Sequence, residues 1–106
     1  MNNYRPYFER KDFRHIAHRA LYQSHTLLRQ WLPGGKLVGN EYVARNPHRT
    51  DLSAGSFKVN IRTGAWSDFA TGDKGGDLIA LFAYLNQTTQ YYAAIELNNL
   101  LGGRQL

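Results

Sequence analysis

Apolar residues recur along the chain with two different periods, and the change from one to the other divides it. Phe13, Ile16, Ala17, Ala20, Leu21, Leu27, Leu28, Trp31 and Leu32 return close to helical spacing until Pro33-Gly34-Gly35 stops them, which predicts a helix over 12–32. Asp12 is placed to cap it, accepting from the unpaired first-turn amides. The polar and aromatic residues before it, with Pro6 among them, predict an irregular arm over 1–11.

Beyond the Pro-Gly-Gly break the period shortens. "KLVG" and "EYVAR" are strand-like and are separated by Gly39-Asn40, a dipeptide suited to a tight hairpin. Asn46-Pro47 then opens a polar loop that runs through Gly55. In "SFKVNIR" Phe57, Val59 and Ile61 alternate with Ser56, Lys58, Asn60 and Arg62, so one face is apolar and the other polar and basic. Thr63-Gly64 turns the chain into "AWSDF", which makes a second hairpin within 36–69. "DLIALFAYLN" is apolar nearly all round and predicts a buried helix over 77–86 with Asp77 at its N-cap. A last helix over 89–101 presents Ala93, Leu97, Leu100 and Leu101 along one stripe and ends at Gly102-Gly103. The expected fold is α+β, a small antiparallel sheet of two hairpins packed with one long N-terminal and two C-terminal helices, in a single domain spanning 1–106.

Composition narrows the chemistry. The 106 residues include no cysteine, so disulfides and thiolate-ligated metal sites are excluded. No run reaches the apolar length of a membrane span, and the N-terminus lacks the apolar core of a signal peptide. A soluble cytoplasmic protein with no membrane partner is expected. The net charge is +5, and it is uneven: residues 1–50 carry nine Lys and Arg against three acids, residues 51–106 four against five. Clustered positive charge gains counterion-release free energy on phosphate backbones, which favours a polyanionic partner, nucleic acid before a membrane surface.

The sequence offers three candidate sites. His15, His18 and His25 fall on the first helix, but no acid or cysteine completes a metal-ligand set there. "GDKGGD" before a helix suggests a phosphate cradle. It lacks the Gly-x-x-x-x-Gly-Lys-Ser/Thr order, and Asp73 and Asp77 would repel an anion, so a turn plus helix cap is favoured. No nucleophile motif appears, so a binding module outranks an enzyme. The third candidate is a surface of cations and aromatics around the hairpins, comprising Arg45, Arg49, Lys58, Asn60, Arg62, Trp66 and Lys74. Cations that follow a backbone beside rings that stack on bases suit single strands.

Residues 46–82, "NPHRTDLSAGSFKVNIRTGAWSDFATGDKGGDLIALF", resemble the zinc-ribbon domain at the N-terminus of bacterial and phage DNA primases. That domain runs Cys-Pro-x-His, Ser-Phe, a hairpin, Cys-Phe-x-Cys-Gly, then Gly-Asp or Gly-Asn opening a helix. Pro47, Ser56-Phe57, Val59, Trp66, Phe69, Gly72, Gly76-Asp77 and Ile79 occupy the matching places. The four ligand places fall on Asn46, Arg49, Asp68 and Thr71, so zinc binding is not carried over and no cofactor is expected. The upstream "LLRQWLPGGKLVGNEYVARNP" is similar to the segment preceding metal-less ribbons in large replication proteins of phages and mobile elements.

The resemblance implies a noncatalytic module that contacts template DNA for a separate polymerising domain. The expected function is therefore single-stranded DNA binding through the seven residues above, in primase-linked replication of a phage or mobile element. A primase or helicase catalytic subunit is a possible partner. The alternative is a protein-interaction module that docks on such a subunit, or on a host protein, without touching DNA.

Overall fold

The computed structural model describes residues 7–48 and 56–102. Its elements are α1 (Arg10–Tyr22), α2 (Ser24–Trp31), β1 (Lys36–Val38), β2 (Glu41–Ala44), β3 (Phe57–Asn60), β4 (Trp66–Asp68), β5 (Lys74–Gly75), α3 (Leu78–Asn86) and α4 (Gln90–Leu100). The class is α+β, as the two periods predict. The arm expected over 1–11 falls largely outside the described residues, and α1 already begins at Arg10.

The long N-terminal helix is two helices. Gln23 leaves helical geometry at φ −112° and ψ 22°, and the buried Ser24 donates its hydroxyl to the carbonyl of Ile61 at 3.3 Å. The break falls in the apolar gap between Leu21 and Leu27, where a polar side chain occupies the inward position. Asp12 is not the N-cap of α1. That place belongs to Glu9, and Asp12 accepts from the Glu9 amide at 2.8 Å as the returning half of a capping box.

The later caps follow the sequence closely. The side chain of Asp77 accepts from the Ala80 amide at 2.8 Å and that of Thr89 from the Tyr92 amide at 3.1 Å. Between α3 and α4, Gln87 adopts the left-handed region at φ 53°, and the Thr88 amide reaches back to the Ala83 carbonyl at 3.0 Å. This is the return bond of a Schellman-type helix end, at a position where glycine would be less strained.

The five strands form one antiparallel meander in the order β1-β2-β3-β4-β5, so the two expected hairpins are joined through β2 and β3 and extended by β5. Gly39 at φ 60° makes the two-residue turn between β1 and β2. Register places Leu37, Tyr42, Val59, Trp66 and Gly75 opposite one another on the inner face. Tyr42, Val59 and Trp66 are buried there with Phe57, Ile16, Leu28, Leu78, Leu81 and Leu97. Helix α1 lies against α3 and α4, and Arg19 ties it to the end of α4 through Asn98 Oδ1 at 3.0 Å and the Leu101 carbonyl at 2.6 Å. No helix among the described residues is long and apolar enough to cross a membrane.

Gly75 lets β5 lie directly over the Trp66 indole. A Cβ there would come within 2.5 Å of Trp66 Nε1, and Trp66 is held by stacking on Phe57 at 5.8 Å and by Tyr84 at 4.8 Å. Gly75→Ala is therefore expected to destabilise the fold by about 1–3 kcal/mol, the usual cost of overpacking. Chemical denaturation would check this, and an unchanged midpoint would contradict the packing described.

Candidate nucleic-acid interface

The residues opposite that inner row form the outer face. The same pairings align Lys36, Val43, Lys58, Ser67 and Lys74, one from each strand in turn. Neighbouring strands lie about 4.8 Å apart, so the three lysines follow one another at roughly 10 Å across the whole sheet. Lys36, Ser67 and Lys74 are exposed and Lys58 is half-buried. Glu41, Lys58, Ser67 and Lys74 border a shallow hollow on this side that also touches Trp66, Gly75 and Gly76.

One flank of the row carries an aromatic. The Phe69 amide donates to the Ser56 carbonyl at 2.9 Å, extending the β3–β4 ladder one residue past Asp68. Strand alternation then turns Phe69 to the same side as Ser67. Its ring is 82% exposed. Arg45, also exposed, follows the inward Ala44 and so belongs to this side as well.

The seven residues expected at the site separate into groups. Lys58, Lys74 and Arg45 share the outer face. Arg49 lies outside the described residues. Asn60 starts on the outer face, but its Oδ1 accepts from the amides of Arg62 and Thr63 at 2.8 and 3.1 Å, which makes it a turn former. Arg62 does not project beside Lys58: strand β3 ends at Asn60, and the turn carries Arg62 toward α1, where it borders a hollow with His18 and Tyr22.

Trp66 corrects the expectation most. It is 5% exposed on the inner face and has no surface on which a base could stack, because it pairs with the inward-facing Val59. Lys36 and Phe69 are members of the face that sequence reasoning missed. Carrying the alternation of "SFKVNIR" across the Gly39-Asn40 and Thr63-Gly64 turns would have pointed to Lys36 and turned Trp66 inward.

Behind the sheet, three of the four places that the primase resemblance gives to zinc ligands, Asn46, Asp68 and Thr71, make side-chain hydrogen bonds. Asn46 Nδ2 donates to Asp68 Oδ2 at 2.8 Å and to the Tyr84 hydroxyl oxygen at 2.7 Å, while Asn46 Oδ1 accepts from the His48 amide at 2.9 Å. Asp68 Oδ1 accepts from the Ala70 amide at 2.8 Å, and Thr71 Oγ1 from the Asp73 amide at 3.1 Å. Tyr84 in turn donates to Asp73 Oδ2 at 2.7 Å. Both amide protons and the carbonyl oxygen of Asn46 are thus engaged within the protein. Asn and Thr are poor zinc ligands and Arg is none, so the residue types at these places do not fit zinc; among the described residues no group of three or more His, Cys, Asp or Glu could hold a metal ion.

Burial raises the Tyr84 pKa above its ordinary value near 10; the hydrogen bond from Asn46 opposes it, and the hydrogen bond to Asp73 with the charges of Asp73 and Asp68 adds to the rise. A hydroxyl whose pKa is higher folded than unfolded stabilises fully below pH 10 and loses that contribution as pH rises through the folded value. Tyr84→Phe is expected to remove this loss and flatten the alkaline limb of the stability–pH curve. A limb equally steep in both proteins would count against the cluster.

Comparison with protein-family models and with curated proteins gives no match. Among solved structures the chain is similar to the Aquifex aeolicus primase, in a crystal structure containing its zinc-binding and RNA polymerase domains. The TM-score is 0.68 at 21% identity, covering 86% of this chain and 21% of that one. The fold is therefore that of a primase zinc-ribbon-like domain, and the chain spans about a fifth of the primase it resembles.

Proposed function

We propose that this protein is a noncatalytic nucleic-acid-binding module of primase-linked replication, and that it holds a single strand of DNA on the outer face of its sheet without a metal. The row of Lys36, Lys58 and Lys74 carries the reading. Three cations at regular spacing track a phosphate backbone, and the exposed Phe69 beside them offers a base a stacking surface. The shared fold with a primase supports the setting in replication, and the resemblance to metal-less ribbons supports a phage or mobile element as its source.

Titrating labelled single-stranded oligonucleotide at several salt concentrations tests this. Binding that weakens steeply with salt is expected, and no binding at low salt would remove the proposal. A second reading keeps one observation of its own. Tyr22 on α1 is 82% exposed beside the hollow of about 260 Å³ that it borders with His18 and Arg62. This suits docking of a primase or helicase subunit away from the lysine face.

A further inference from the structure

We propose that the hollow between β5 and the α3–α4 corner seats one unpaired nucleobase of the strand held on the lysine face, an inference that rests on the nucleic-acid reading above. Lys74 and Trp66 border both this hollow and the shallow one on the outer face. A strand following the lysines therefore reaches it over the edge of β5 without leaving Lys74. Its volume of about 640 Å³ falls in the range of small-molecule sites.

The chemistry of the walls favours a base over a phosphate. Ala80 and Ala83, one turn apart on α3, leave a shallow apolar floor beside the Tyr84 ring. The rim carries Gln87 and Gln90, whose amides each offer a donor and an acceptor, as the edge of a base requires. Asp73 adds a carboxylate that accepts from an amino group and repels a phosphate.

The test compares a short single strand with an abasic strand of the same length and charge. The natural strand is expected to bind about tenfold more tightly, the scale of one seated base. Ala80→Leu, which fills the floor, should bring it down toward the abasic strand while abasic affinity stays unchanged. The double variant Gln87→Gly, Gln90→Ala should do the same, and because glycine suits the left-handed geometry at 87, its loss cannot be ascribed to unfolding. Equal binding of the two strands, or a difference that survives both variants, overturns the base site and leaves phosphate capture standing. Absence of binding by either strand at low salt overturns both.

Discussion

Replacing Lys36, Lys58 and Lys74 together by alanine is expected to flatten the dependence of log Kobs on log salt by about 2, since each phosphate contact to a single strand contributes roughly 0.7. The three side chains lie in one row because the strands pair as they do, so each single variant should give about a third of the change. Two of the three are exposed and none forms a salt bridge among the described residues, so folding should be almost untouched. Phe69→Ala should act differently, costing about 1–3 kcal/mol of binding with the salt slope preserved. Anisotropy titrations across a salt series separate the two behaviours. An unchanged slope in the triple variant would move the binding face elsewhere.

Asp68→Ala is expected to destabilise the fold by about 3 kcal/mol, because it strips a buried carboxylate from donors that include Asn46 Nδ2 and the Ala70 amide. Asp68 is 1% exposed, so water cannot readily take its place. In a metal ribbon the ion holds these loops together; here Asn46 links the chain before β3, the end of β4 and helix α3 through hydrogen bonds. The same melting temperature with and without EDTA is therefore expected. Urea denaturation would measure the first effect, and a loss below about 1 kcal/mol, or a melting temperature lowered by chelator, would return a metal to the account.

Much of the fold was legible because its signals are local. The alternation of Phe57, Lys58, Val59 and Asn60 states which side of β3 faces inward, and Asp77 and Thr89 act as caps within three residues of themselves. The break at Gln23 was not legible, since an apolar stripe continues on either side and the carbonyl that anchors the Ser24 hydroxyl belongs to Ile61, in the turn after β3. The outer face of the sheet was half legible for a related reason. Lys58, Lys74 and Arg45 were found as cations near the hairpins, whereas Trp66 was assigned to the surface by its residue type when register turns it inward.

The sequence by itself determined the α+β class, the cap at Asp77, the hairpin turns and the absence of cysteine ligands at the ribbon positions, because each depends on residues close together in the chain. Only the tertiary structure decided that Lys36 and Lys74, on opposite edges, belong to one row with Lys58, and that Asn46, Asp68 and Tyr84 meet behind it. Pairing across strands and the docking of α3 set those neighbours. They depend on which segments hydrogen-bond and pack together, which no local period records.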